Sequence, residues 1–237
     1  MTAPRKRVVV AISGRGSNMA ALLTASREND FPAEIVGVVS DTADAPGLLY
    51  AGSNGIPTRV VARADFASRE AHDAGLDSAI NALGGEIVAL AGYMRLLQAP
   101  FVEKWAGRLI NIHPSLLPTF PGLNTHRRAL DAGCRVHGCS VHYVTLATDE
   151  GPLIAQAAVP VLLSDTEDTL AARVLKAEHR LYPLAVKLVA EGLVRLENGR
   201  AVFTPGTRAE RLETPPLLSP DFEAGAANLE DLARFTP

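Results

Sequence analysis

The strongest constraint on this chain is a repeated handover from a short apolar run to a longer stretch with helical spacing. Arg7-Val-Val-Val-Ala-Ile-Ser13 is β-branched and stops at Gly14, the pattern of a strand buried on both faces. Residues 17–26 follow, with Met19, Leu22 and Leu23 on one stripe, which predicts a helix. Glu34-Ile-Val-Gly-Val-Val-Ser40 predicts a second strand, 47–54 a short helix stopped by Gly55 and Pro57, and 58–61 a third strand. A helix over 68–83, a strand over 86–91, a helix from Pro100 to Trp105 and a strand over 108–113 continue the alternation. This is the rhythm of βαβ units and of a mostly parallel sheet.

The pattern changes after residue 114. Pro114, Pro118 and Pro121 force an irregular loop. A helix is expected over 125–132 and strands over 138–143 and 154–161. Leu170, Val174, Ala177, Leu181, Leu184 and Leu188 recur every three or four residues and give a long helix one apolar face. Pro183 lies inside it and is expected to kink it or end its first half. Short strands follow near 194–197 and 201–203. The whole reads as an α/β fold, a Rossmann-like open, mostly parallel twisted sheet flanked by helices, with antiparallel strand additions in the C-terminal half. A single domain over 1–203 is expected, its halves dividing at about 106. Residues 204–237 hold Pro205, Pro215, Pro216, Pro220 and Pro237, which predicts an extended tail with a short helix around 229–235.

Composition narrows the classes of function. With 47% hydrophobic and 21% charged residues in 237, the chain has the apolar mass for a core, which excludes global disorder. A net charge of −3 offers no broad footprint for nucleic acid, and 5% aromatic residues no stacking platform for single strands. Cys134 and Cys139 are the only cysteines, and no signal-peptide pattern precedes them, which argues against a disulfide framework. The basic N-terminus leads into an apolar run of about six residues, too short to span a bilayer. The expectation is a cytoplasmic protein with no membrane and no nucleic-acid partner.

Three constellations carry chemistry. Ser13-Gly-Arg-Gly-Ser-Asn18 joins the first strand to the first helix. Such a loop lets backbone N–H groups approach an anion, or it is simply a tight turn in which Ser17 or Asn18 caps the helix. It is neither a dinucleotide fingerprint nor a P-loop. Asn111-Ile-His113 ends the fifth strand, and residues two apart on a strand share a face. An amide and an imidazole side by side can donate to a developing oxyanion and move a proton, or satisfy loop carbonyls as buried polar groups. Cys134, His137, Cys139 and His142 resemble a metal cluster by spacing alone. On a strand over 138–143, however, Cys139 and His142 face opposite sides, which argues against convergence on one ion. Ser140 and His142 share a face. Asp149 or Glu150, in the loop Thr145-Leu-Ala-Thr-Asp149-Glu-Gly-Pro152, can supply a carboxylate to His113. Asp165 to Thr169 read as helix-start acids and caps, and Glu178 and His179 as a solvated helix face.

Four segments are together recognisable: Ser13-Gly-Arg-Gly-Ser-Asn18, Leu90-Ala-Gly-Tyr-Met-Arg-Leu-Leu97, Ile110-Asn-Ile-His-Pro-Ser-Leu-Leu-Pro118 and His137-Gly-Cys-Ser-Val-His-Tyr-Val144. They resemble the phosphoribosylglycinamide formyltransferases, folate-dependent enzymes of purine biosynthesis, over about residues 7–200. Pro121-Gly-Leu-Asn-Thr-His126 is similar to the glycinamide ribonucleotide branch rather than to the methionyl-tRNA formyltransferases. The resemblance implies a nucleotide-binding half over about 7–106 and a folate-binding half over about 107–203. It implies that Asn111, His113 and Asp149 are the catalytic trio and that Gly16, Ser17 and Asn18 hold the ribonucleotide phosphate. It assigns the ribose hydroxyls to Glu178, against the solvated-face reading. Folate contacts are implied for Arg69, Met94, Arg95, Leu96, Leu97 and Asn111, and for Thr145, Leu146, Ala147, Thr148 and Asp149. Arg15 stands where the family often has a small or neutral residue, and Leu146 where an acidic one is common.

The implied substrates are glycinamide ribonucleotide and 10-formyltetrahydrofolate, with no metal ion, in a monomer or homodimer. The implied reaction is direct attack of the amine on the formyl carbon. A deformylase acting on the same folate, a sugar-nucleotide N-formyltransferase and a non-catalytic folate-binding protein are the competing readings.

Overall fold

The computed structural model describes residues 4–204, together with Leu217 and Ser219; the expected tail helix over 229–235 lies outside the described residues. Alternation is present as read: β1 (Lys6–Ile12), α1 (Ser17–Ala25), β2 (Ala33–Ser40), α2 (Pro46–Ser53), β3 (Thr58–Val60), α3 (Arg69–Ala82), β4 (Ile87–Leu90), α4 (Ala99–Lys104) and β5 (Leu109–His113). A single 3₁₀ turn, Arg63–Asp65, precedes α3 and has no counterpart in the sequence reading. The second half adds α5 (Thr125–Asp131), β6 (Val136–Tyr143), β7 (Leu153–Pro160), α6 (Glu167–Ala190), β8 (Val194–Glu197) and β9 (Arg200–Phe203). Seven strands form one sheet in the order β3-β2-β1-β4-β5-β6-β7, and β8 and β9 pair separately. The first five are parallel; β6 and β7 add antiparallel.

β1 lies at the centre because its residues suit both faces. Val8, Val10 and Ile12 pack on one side with α1, α2 and α6, while Val9 and Ala11 pack on the other with α3 and α4. Each fully buried side chain of this size contributes about 1.5–3 kcal/mol, so a strand with no exposed face has one stable place, the interior of the sheet. The strand order reverses at β1, whose neighbours are β2 and β4. Such a switch point leaves a crevice at the carboxyl ends of the strands, and the Gly-rich loop opens into it.

α6 is the longest element and ties the two halves together. Its start is set by Thr166, whose side chain and that of Thr169 cap each other's backbone N–H. The Tyr182 hydroxyl donates to the carbonyls of Leu90 (2.8 Å) and Ile110 (3.3 Å), pinning the helix beneath β4 and β5. Pro183 does not end the helix, which runs unbroken over 24 residues. Proline removes one donor, but buried Leu181, Tyr182, Ala185 and Val186 flank it. Packing of that face outweighs the missing bond.

Candidate active site

Asn111 and His113 occupy the carboxyl end of β5, on the face they share with Leu109. The antiparallel register sets Asn111 opposite His142 and His113 opposite Ser140. Opposite residues on one face touch, so β6 supplies the neighbours that fix both groups. His142 Nδ1 lies 2.9 Å from the Tyr143 carbonyl. A carbonyl only accepts, so this nitrogen carries a proton. In the neutral ring, Nε2 is then an acceptor for the Asn111 amide N–H, 3.2 Å away. That bond orients the amide and leaves its second N–H without a partner among the described residues.

His113 is 6% exposed. Its Nε2 is 3.0 Å from the Phe120 carbonyl, and its Nδ1 is 3.3 Å from Asp149 Oδ2. Only the doubly protonated ring donates at both ends. Asp149 Oδ1 stands 3.7 Å from His142 Nε2, and Oδ2 also accepts the Gly122 N–H at 2.8 Å. Of the two carboxylates offered by the loop, Asp149 is therefore the one brought to His113. Burial works against its charge, but the nearby His142 ring, the Gly122 N–H and the nearby His113 outweigh it and hold its pKa below the ordinary value. Asp149 adopts φ +57°, a left-handed conformation that costs a non-glycine residue energy and recurs at functional sites.

The Pro-rich loop is stitched beneath these groups. The Ser140 hydroxyl donates to Ser115 O (2.7 Å) and accepts from the Leu117 N–H (3.0 Å) and the Gln156 amide (2.9 Å). Gln156 also donates to Leu117 O, and Thr125 to Pro114 O. Ser140 was marked in the sequence only by sharing a face with His142, and Ser115 and Gln156 were invisible as site residues, each one polar residue among many. His137 does not turn toward His142. It packs edge-on against His126 and Phe120, and burial, assisted by His126, pushes its pKa down to about 4. Cys139 lies in the opposite core, where burial and the Glu178 charge push its thiol up to about 12. Among the described residues no cluster of three His, Cys, Asp or Glu is placed to hold a metal ion.

The loop after β1 is open rather than capped. The N-cap of α1 is Gly16 at φ +71°, with no side-chain cap and no acid in the first turn. Neither Ser17 nor Asn18 caps the helix. Gly16 is required there twice over: its φ is left-handed, and a Cβ would lie 3.2 Å from the Gly47 backbone. The first N–H groups of α1 thus face the crevice with the helix dipole behind them, the arrangement that takes an anion. Arg15 is exposed at the rim.

The Asn18 side chain turns inward instead and donates to Glu178 Oε2 at 2.6 Å. Its Oδ1 is buried and accepts no hydrogen bond among the described residues. Glu178 is 6% exposed, which overturns the solvated-face reading. Burial raises its pKa, and the Asn18 N–H offsets this only in part. The signal was present in the spacing: Glu178 follows Val174 by four and precedes Leu181 by three, so it lies on the buried stripe.

Residues 91–98 lie between the two centres, after β4. The Met94 N–H donates to Ser13 Oγ (2.9 Å), Arg95 Nε to Asp41 Oδ2 (2.5 Å) and the Gln98 N–H to Asp73 Oδ2 (2.7 Å). Met94 and Leu96 are each 64% exposed, while Leu97 packs on the α3–α4 core. Thr145, Leu146, Ala147 and Thr148 form the turn leading to Asp149, with Leu146 exposed. Arg69 is exposed in the first turn of α3 and forms no hydrogen bond or ion pair with any of these residues.

Comparison with known proteins agrees with this geometry. A family model described as formyl transferase matches residues 6–186. The chain is 46% identical over 194 residues to phosphoribosylglycinamide formyltransferase of Escherichia coli (strain K12), covering 82% of this chain and 92% of that protein. It is 50% identical over 199 residues to the trifunctional purine biosynthetic protein adenosine-3 of Bos taurus, covering 83% of this chain; it spans only 20% of the length of that relative. The crystal structure of phosphoribosylglycinamide formyltransferase from Brucella melitensis matches with a TM-score of 0.76 at 60% identity, over 80% of this chain and 98% of that one. The chain belongs to the formyl transferase family and, within it, to the phosphoribosylglycinamide formyltransferases.

Proposed function

We propose that residues 1–203 form a unit that transfers the formyl group of 10-formyltetrahydrofolate to the amine of N1-(5-phospho-D-ribosyl)glycinamide. The products are the N-formyl ribonucleotide and tetrahydrofolate, in de novo purine (IMP) biosynthesis. The observation that carries this reading is the convergence of Asn111, His113 and Asp149 two strand positions from an uncapped helix start. Strands are about 4.8 Å apart, so the two centres are separated by about 10 Å, a span suited to a substrate with phosphate at one end and amine at the other.

The amine lone pair attacks the formyl carbon, and the carbonyl π pair moves onto oxygen. Asn111 donates its free amide N–H to that oxyanion. His113 donates Nε2–H, exchanging the Phe120 carbonyl for the oxyanion. Asp149 holds the charged imidazole and assists the proton on its way from the attacking nitrogen to the folate N10, whose bond to the formyl carbon then breaks. A neutral amine is nucleophile enough that no covalent enzyme intermediate and no metal ion is required. Gly16, Ser17 and Asn18 offer backbone N–H groups to the phosphate, and Glu178 accepts from the ribose hydroxyls. The folate lies along Met94–Leu97 and residues 145–149, with Arg69 reaching its acidic tail. The setting is cytoplasmic and the unit a monomer or homodimer.

The test is folate absorbance on mixing the protein with 10-formyltetrahydrofolate, with and without the ribonucleotide. Turnover that requires the ribonucleotide supports the transferase. Equal turnover without it replaces the transferase with a deformylase. Turnover with a nucleotide-linked amino sugar alone replaces the acceptor.

A further inference from the structure

Two residues given no substrate contact above join the halves of the site. Ser13 begins the Gly-rich loop, and its backbone N–H donates to the Gly92 carbonyl at 3.2 Å. Its hydroxyl accepts the Met94 N–H at 2.9 Å. Asp41, at the end of β2, takes Arg95 Nε at 2.5 Å and the Thr42 hydroxyl at 3.2 Å. Its side chain is 2% exposed against 48% for Arg95. Burial opposes the charge on Asp41, but the Ser13, Arg95 and Thr42 contacts together hold its pKa below the ordinary carboxylate value. The segment they hold has no regular structure of its own. It carries two largely exposed apolar side chains, Met94 and Leu96. Its backbone position is therefore set by its anchors: Ser13 and Asp41 at one end, Asp73 at the other.

We propose that Ser13 and Asp41 are positioning residues that couple the phosphate loop to the folate-binding segment, so that each substrate tightens the binding of the other. This rests on the reading of function above. A phosphate drawn onto the N–H groups of Gly16–Asn18 fixes the backbone of the loop, and Ser13 is its first residue. A fixed Ser13 holds Met94 N–H, and Asp41 holds Arg95, so the cost of ordering 93–98 is already met when the folate arrives. Linkage makes the effect reciprocal.

Calorimetric titration measures it with the unreactive pair of tetrahydrofolate and glycinamide ribonucleotide, neither of which carries a formyl group. In the unaltered protein, saturating ribonucleotide is expected to lower the tetrahydrofolate Kd at least about fivefold, the low end of ordinary coupling, and tetrahydrofolate to lower the ribonucleotide Kd by the same factor. S13A and D41N are expected to bring both factors to about one, and S13T, which keeps the hydroxyl, to restore the coupling. Far-ultraviolet circular dichroism on each variant separates loss of coupling from loss of fold. A factor of one in the unaltered protein overturns the proposal, as does a full factor in folded S13A and D41N. A protein that binds neither ligand fails the functional reading itself, and the coupling falls with it.

Discussion

Replacing Asp149 by asparagine removes one charge and almost no volume, so its effect isolates electrostatics. Asp149 Oδ2 is 3.3 Å from His113 Nδ1, and both side chains are largely shielded from water, Asp149 at 12% and His113 at 8% exposure. At an effective dielectric of about 20, a full charge pair at that separation is worth about 5 kcal/mol. Only the part that grows as the imidazole takes up charge against the oxyanion lowers the barrier. If about 3 kcal/mol of it does, kcat falls about 10²-fold, at 1.36 kcal/mol per factor of ten. Losing a single oxyanion donor elsewhere has a similar scale, about 10²–10³. The asparagine oxygen can still accept the Gly122 N–H, which Asp149 accepts at 2.8 Å, so the loop stays in place. Folate KM is then expected to change less than about threefold. Steady-state assays at saturating substrates, with thermal unfolding on the same samples, make the comparison. A kcat within threefold of the parent, in a folded D149N, would refute a charge role for Asp149.

Further outcomes follow from single contacts. Asn18→Ala removes the only donor to the buried Glu178 carboxylate among the described residues, a charge-assisted bond worth about 1.5–3 kcal/mol. Ribonucleotide KM is expected to rise about 10–150-fold with folate KM little changed; equal changes in both would remove Glu178 from the ribonucleotide site. Because burial already raises the Glu178 pKa and the variant raises it further, the KM penalty is expected to deepen as pH falls from about 8 to 6. Asp165→Ala breaks a pair in which Arg173 donates twice, at 2.6 and 2.8 Å, to a carboxylate 2% exposed. With Arg173 a quarter exposed the loss is expected to be about 2–3 kcal/mol, or a Tm lower by about 4–12 °C. Those Arg173 bonds hold the Asp165 pKa far below normal. The difference should therefore be full above about pH 4 and shrink as pH falls through the folded value; calorimetry showing a gap that instead closes toward pH 8 would contradict this. Gly151→Ala places a Cβ 1.6 Å from the Tyr143 carbonyl oxygen and 3.0 Å from His142 Nδ1. A stability loss of about 3 kcal/mol is expected, and a Tm within 2 °C of the parent would show that the turn adapts.

How far the sequence could be read depends on whether a feature repeats locally. β1 to β5 were legible because each is a short apolar run bounded by glycine, proline or a helix pattern, and the order of connection follows from handedness. β6 begins at Val136, two residues before the expected start, because Val136 and His137 look no different from loop residues until they pair with Pro160 and Val159. Asn111 and His113 were visible from their spacing on one strand. Asp149 was visible only as one of two adjacent carboxylates, since nothing local says which oxygen reaches a histidine 36 residues earlier. Glu178 was misplaced because a carboxylate on an amphipathic helix normally marks the wet face; here Asn18, 160 residues away, supplies the donor that permits burial. His142 was grouped with cysteines by proximity in the chain, whereas its partner is fixed by register.

That register explains why Asn111, His113 and Asp149 assemble where the sheet first turns antiparallel. β6 descends from Val136 to Tyr143, opposite Ile110, so the chain leaves it below the level of His113. To supply Asp149, the loop over 144–152 must fold back over the face that carries Asn111, His113 and His142. The left-handed φ of Asp149 turns the chain there, and the close approach of Gly151 to the Tyr143 carbonyl keeps the loop against the strand. A parallel β6 would place its own carboxyl end beside His113, but it would also set a different residue opposite Asn111. One step of slip in the β5–β6 pair would send His142 to the α6 side of the sheet, because side chains alternate. β7 absorbs an extra residue at this point, its pairing jumping from Ala155 to Leu153 opposite Val141 and His142. A bulge of this kind re-aims a strand without shifting its neighbour. The mismatch is thus carried by β7, and the Asn111–His142 contact keeps its register.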